Sequence, residues 1–60
     1  MRLQEFNIGD CFSDGMHYII IDIVGTSILI QRSDGKFFIF VADAEVNYIS
    51  EALFIAAELE

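Results

Sequence analysis

The sequence predicts an α+β fold in which an antiparallel four-stranded meander sheet is followed by a C-terminal helix. Two observations carry this prediction. Short glycine-containing segments divide the first two-thirds of the chain into apolar runs rich in β-branched and aromatic residues, which is typical of strands. Residues 42–60 contain no glycine or proline and are rich in Ala, Glu and Leu, which favour helix. The 60 residues are expected to form a single domain, 1–60, near the lower size limit for independent folding.

Three short segments are predicted to be turns. The tripeptide Ser-Asp-Gly occurs at residues 13–15 and again at 33–35, where glycine accepts a positive φ and aspartate bonds the neighbouring backbone. Gly25 marks a third turn at residues 25–27. Because every connection is short, neighbouring strands are expected to pair antiparallel. The strands are predicted at residues 6–12, 16–24, 27–32 and 36–41.

The last third of the chain is predicted to form one helix that begins near Asp43. Asp43 suits the N-cap position, and Glu45 in the first turn would interact favourably with the helix dipole. The apolar stripe expected from helical periodicity holds Ala42, Val46, Ile49, Leu53, Ala56 and Ala57. The polar side holds Asp43, Asn47, Ser50, Glu51 and Glu58, with Phe54 among them. Helix or strand is left open for residues 47–58, because a fifth strand at 51–57 would close a small SH3-like barrel.

The second and fourth predicted strands are apolar at nearly every position, although a sheet with one wet face should alternate. The face with Ile19, Ile21 and Ile23 is expected to be the core beneath the helix. The opposite face would remain an apolar patch larger than monomers usually tolerate. A second copy of the chain is therefore expected to cover it in a two-fold homodimer. The residues predicted to carry this self-association are Tyr18, Ile20, Asp22, Phe38 and Phe40.

Asp22 interrupts the apolar run of the second strand. An exposed position at the sheet edge is one interpretation of this residue. The other is a charge within the dimer interface that fixes register or partner choice. A buried carboxylate would pair most simply with Arg32 or Lys36 on the neighbouring strands.

The chain carries a net charge of −7, from ten acidic residues against three Lys and Arg. Such a surface repels nucleic-acid phosphates and lipid headgroups and favours basic partners. Direct nucleic-acid and membrane binding are therefore not expected. Asp43, Glu51 and Glu58 would share one side of the predicted helix. They are predicted to form an acidic face for the basic groove of a larger protein, which itself binds nucleic acid.

No motif for catalysis or cofactor binding occurs in the sequence. Cys11 and His17 are the nearest approach to a nucleophile and a base, but Asp10 beside the cysteine would raise rather than lower its pKa. The spacing of Asp10, Cys11, Asp14 and His17 matches no zinc or calcium site. No enzyme activity, cofactor or metal is expected. One unpaired cysteine and the lack of an export signal or membrane segment predict a cytoplasmic protein.

In size, acidity and lack of catalytic residues, the chain resembles the small acidic proteins that phages encode to block bacterial defence systems. This resemblance includes no sequence motif, so it assigns no functional residue. It implies a compact, dimeric, non-catalytic inhibitor of a nuclease or helicase. The alternative is a structural or assembly module of SH3-like type whose partners are its own copies.

Overall fold

The computed structural model of the chain describes residues 1–59 and confirms an α+β fold with one open antiparallel sheet and a C-terminal helix. A short 3-10 helix, η1 (Leu3–Glu5), precedes the sheet. The strands and helix are β1 (Cys11–Asp14), β2 (Met16–Val24), β3 (Ser27–Arg32), β4 (Phe37–Val41), β5 (Asn47–Ile49) and α1 (Glu51–Glu58). The strand order β4-β3-β2-β1-β5 makes a five-stranded sheet, one strand more than predicted, and the sheet does not close into a barrel.

The predicted hairpins are present at both Ser-Asp-Gly segments. Gly15 and Gly35 adopt φ values of 83° and 94°, a region in which other residues are strained. The bounds predicted for the second and third strands are confirmed, and β4 begins one residue later than predicted. The first strand was predicted from residue 6, but β1 begins at Cys11 because Phe6 instead packs into the core.

The prediction of one long helix from Asp43 is wrong for its first half. Residues 47–49 form β5, which pairs with β1 through partners such as Tyr48 and Phe12. The helix begins at Glu51, after Ser50, whose Oγ accepts a hydrogen bond from the Leu53 amide at 3.2 Å. This side-chain acceptor is what a helix N-terminus requires. The alternative of a fifth strand at 51–57 is also wrong, since α1 occupies that segment.

The core lies on one face of the sheet, the covered face, which carries Phe12, Tyr18, Ile20, Ile28 and Ile30. Its centre is aromatic: the Phe12 and Tyr18 rings are stacked with centroids 5.1 Å apart, and Phe40 lies 5.2 Å from Tyr18. Ile20 and Ile30 pair directly across β2 and β3 and are both buried. Burial of these side chains supplies most of the hydrophobic stabilisation that a chain of this size can gain.

The cover for this face comes from two distant segments of the chain. Residues 1–4 run antiparallel to residues 42–46, with the Leu3 amide donating to the Ala44 carbonyl at 3.0 Å and the Gln4 amide to the Ala42 carbonyl at 2.7 Å. This pair of segments places Leu3 against the sheet, together with Phe6 and Val46. The protomer therefore buries its own aromatic cluster without a partner.

This cover reverses the predicted roles of the two faces. Tyr18 and Ile20 were expected to meet a second copy, but they are buried within the protomer, because the segments at 1–6 and 42–46 lie over them. Phe40 is half-buried on the same face, packed against Phe12 and Tyr18. Phe38 is also on this face and retains partial exposure.

The helix packs on β2, on the opposite face of the sheet, where it buries Phe54. The prediction that Phe54 lies on the polar side is wrong, because half of the predicted apolar stripe came from residues 42–49, which lie outside α1. The expectation that Ile19, Ile21 and Ile23 form the core beneath the helix is only partly met. Ile19 is half-buried and Ile21 is 38% exposed on the helix side, whereas the register shift after Ile20 places Ile23 opposite Ile28, on the covered face.

Substitution of neighbouring residues of β2 tests this assignment of faces. Ile20→Val removes one methylene group from a buried site and is expected to lower the free energy of unfolding by about 1 kcal/mol. Ile21→Val makes the same chemical change at a partly exposed site and is expected to cost less than half as much. Urea titration followed by circular dichroism measures both values. Equal losses for the two variants would contradict the assignment.

Candidate interaction surface

One edge of the sheet presents apolar side chains that the protomer leaves uncovered. On β4, Phe37, Ile39 and Val41 are 59%, 70% and 61% exposed. Beside them lie the half-buried Leu29 of β3 and the partly exposed Ile21 of β2. These five residues are called the β4 surface.

Strand register places the members of this surface together. Leu29 is the cross-strand partner of Ile39, so both side chains lie on the face opposite the core. The helix lies over β2 on that face and contains only eight residues, or about 12 Å of length. Since β4 is two strands beyond β2, at about 4.8 Å per strand, a single short helix leaves β4 uncovered.

A β-bulge shapes the border of this surface. The register of β2 with β3 shifts between Ile20 and Asp22, which places Asp22 opposite Leu29. Asp22 is exposed, and its Oδ1 accepts a hydrogen bond from the Ile23 amide at 2.9 Å. The carboxylate thus satisfies the local backbone of the bulge. Of the five residues predicted for self-association, Asp22 is the one at the border of the β4 surface.

The ion pair with Arg32 or Lys36 was expected only for a buried Asp22, and Asp22 is exposed; Arg32 instead binds the neighbouring turn. Arg32 Nη2 lies 2.6 Å from Asp34 Oδ2, and its Nε donates to Oδ1 at 3.0 Å. The guanidinium also lies over the Phe38 ring, 4.9 Å from the centroid. The side-chain hydrogen bonds from Arg32 lower the pKa of Asp34 to about 2. The ion pair between Arg32 and Asp34 therefore stabilises the turn between β3 and β4.

The three acidic residues predicted to share a helix face are divided between two places. Glu51 and Glu58 lie on α1 and are exposed, whereas Asp43 lies in the turn after β4. Asp43 and Gln4 line a shallow groove of about 330 Å³ together with Thr26, Val41 and Ala42. One carboxylate among apolar and amide groups offers no pair of groups for acid–base chemistry.

Cys11 and His17, the residues considered for nucleophilic chemistry, are not direct cross-strand partners of each other. Cys11 pairs across the strands with Ile19, while His17 pairs with Ser13. Burial raises the pKa of the Cys11 thiol above its ordinary value, and the charge of Glu51 raises it further. Within residues 1–59, no three His, Cys, Asp or Glu side chains are placed to bind one metal ion.

Sequence reasoning missed the β4 residues that are most exposed. Phe37 and Ile39 stand in an uninterrupted apolar run, Phe-Phe-Ile-Phe-Val, in which alternation cannot identify the solvent side. The signal that was available is position: β4 is the last strand of the meander before the chain turns away, which makes it an edge.

No protein-family model, curated protein or solved structure matches this chain. Among the described residues, no helix has both the length and the apolar character required to cross a membrane.

Reactivity of the thiol provides a test of the environment of Cys11. The buried, protonated thiol is expected to react with iodoacetamide at pH 8 at least tenfold more slowly than Val24→Cys in a Cys11→Ala background, since Val24 is 67% exposed. Mass spectrometry of timed samples measures both rates.

The same raised pKa implies a dependence of stability on pH. The folded state holds the Cys11 thiol proton more tightly than the unfolded state does. The resulting contribution to the free energy of unfolding is fully present below the unfolded pKa and is lost as pH rises through the folded pKa. Cys11→Ala removes that loss at alkaline pH.

In the alkylation experiment, equal rates for Cys11 in native and urea-unfolded protein would contradict the buried environment of the thiol.

Proposed function

We propose that this chain is a non-catalytic binding protein that self-associates through the β4 surface. The observation that carries the proposal is the concentration of exposed apolar side chains on one edge strand, led by Ile39 at 70% exposure. Proteins usually protect an edge strand with charge, proline or a covering segment. Residues 37–41 contain neither a charged residue nor a proline.

A second copy is the partner that this surface fits best. Each copy carries the same apolar strand, so a two-fold contact joins like with like and leaves no further copy to add. A protomer of 60 residues gains little stability from its own core, and association adds buried apolar area without lengthening the chain. An internal disulfide cannot add stability instead, because Cys11 is the chain's sole cysteine.

A second candidate function is inhibition of a larger protein with a basic groove, in the manner of the phage anti-defence proteins that the chain resembles. The net charge of −7 supports it, as does the exposure of Glu51 and Glu58 on α1. The helix packs on β2 and β4 is the strand at the far edge, so a β4 dimer would leave both helices free. Asp43 lies next to β4 and is better placed at the self-association site. Such an inhibitor would act in the cytoplasm.

The two candidates are separated by charge reversal on the helix. Glu51→Lys with Glu58→Lys is expected to leave the dimer intact and to abolish retention of a stoichiometric target from host lysate. Loss of Asp43 alone, by Asp43→Ser, is expected to leave target retention unchanged. Recovery of the chain's own copies alone favours the assembly module over the inhibitor.

Self-association is tested by making the exposed strand polar. Phe37→Ser with Ile39→Thr changes side chains that are mostly in solvent, so the fold is expected to persist while the dimer dissociation constant rises at least tenfold. Sedimentation equilibrium measures the mass across concentration. The matched control is Ile8→Thr with Leu59→Thr, which alters side chains of 60% and 83% exposure elsewhere.

The control variant is expected to dimerise as the wild type does. A wild-type protein that sediments as one chain of 6.8 kDa at every concentration would overturn the proposal. Equal weakening of the dimer in the control would show that general apolar exposure, rather than β4, drives association.

A further inference from the structure

The backbone of β4 has an unused hydrogen-bonding side. The Arg32 amide donates to the Lys36 carbonyl at 2.7 Å, and the Ala42 amide donates to the Thr26 carbonyl at 2.9 Å. These bonds fix the alternation of the β3–β4 ladder, so even-numbered residues from 36 to 42 direct their backbone groups towards β3. The N–H and C=O groups of residues 37, 39 and 41 therefore point away from the sheet.

No strand adjoins that outer side of β4 within residues 1–59, because β4 is the terminal strand of the sheet. The Val41 carbonyl accepts a hydrogen bond from the Ala44 amide at 3.1 Å and retains a second lone pair. Phe37, Ile39 and Val41 thus expose both their side chains and their outer backbone groups. A partner that supplied only an apolar surface would leave those backbone groups unpaired.

We infer that two copies join edge to edge, with β4 of each pairing antiparallel about a two-fold axis at Ile39, to form one continuous ten-stranded sheet. This inference rests on the self-association proposed above and specifies its geometry. In this register Ile39 faces Ile39 of the second copy, and Phe37 faces its Val41. Each exposed side chain then gains an apolar cross-strand neighbour.

The charges that flank β4 favour this register. Lys36 and Asp43 are both exposed and lie just before and just after the strand. Antiparallel pairing about Ile39 places Lys36 opposite Ala42 of the second copy, at the end of the strand where its Asp43 follows in the turn. The two-fold axis brings these opposite charges to the same end of the contact twice. A parallel arrangement would instead place Lys36 near Lys36 and Asp43 near Asp43.

The pattern of cross-linking tests the register. In a Cys11→Ala background, Ile39→Cys is expected to form an intermolecular disulfide on mild oxidation, because the two residues lie opposite each other across the axis. Phe37→Cys and Val41→Cys are expected to cross-link with each other when mixed. Neither should link efficiently to itself, since four residues of strand separate like positions by roughly 13 Å. Val24→Cys is the exposed control off the interface.

A proline substitution tests the backbone bonds separately. The Ile39 amide points outward, so Ile39→Pro removes no bond to β3, yet it withdraws a donor from each side of the dimer. The dissociation constant is expected to rise on the order of tenfold or more. Ile39→Val, which retains the amide and a β-branched side chain, is the matched control and is expected to change it less than threefold. Circular dichroism establishes that the proline variant remains folded.

The results separate this inference from the proposal beneath it. A dimer that resists Ile39→Pro and gives no cross-link at position 39 would overturn edge pairing and leave self-association by stacked sheet faces. Efficient self-linking of Phe37→Cys would contradict the antiparallel register. A wild-type chain that is monomeric throughout would defeat both.

Discussion

The main constraint on this structure is that the chain has too few residues to cover both faces of its sheet. Both faces of the central strands are apolar, and the protomer covers one of them far more fully than the other. The segments at 1–6 and 42–46 close over Phe12 and Tyr18 on one side. On the other side, a helix of eight residues covers the part over β2 and leaves β4 in solvent. β4 is thus exposed because the covering segments and the helix lie over other parts of the sheet.

This division also separates two properties on the molecule. The apolar edge is at β4, whereas Glu51 and Glu58 lie on the helix over β2. A dimer built at β4 would carry two acidic helices symmetrically displaced from its axis. Self-association at β4 and recognition of a basic target by the helix would therefore use different residues. Such a rigid, two-fold arrangement would lose little ordering entropy when it binds.

Local signals in the sequence were sufficient for the central hairpins. Gly25 and the Ser-Asp-Gly segments fixed the ends of β2 and β3, because turn chemistry is determined by a few adjacent residues. Local signals did not predict that the helix begins at Glu51. Asn47–Ile49 becomes β5 through pairing with β1, a contact between segments far apart in the chain, and this pairing overrides local helix preference.

The choice of covered face was equally non-local. Nothing near Ile20 or Ile21 in the sequence distinguishes the buried residue from the exposed one, since both are isoleucines in an apolar run. Which face is buried depends on Leu3 and Val46, which pack against the sheet and are brought together by hydrogen bonds between the two covering segments. An excess of apolar residues was readable from composition, but its location required the tertiary structure.

The most direct measurement of the central claim is amide hydrogen exchange along β4 as a function of protein concentration. The Phe38 amide points towards β3 and serves as an internal reference whose protection is set by the protomer. Completion of the edge by a second copy predicts that the Phe37 and Ile39 amides exchange rapidly in dilute protein and slowly in concentrated protein. Rapid exchange of both amides at every concentration, with Phe38 protected throughout, would show that β4 remains an open edge and would contradict the account.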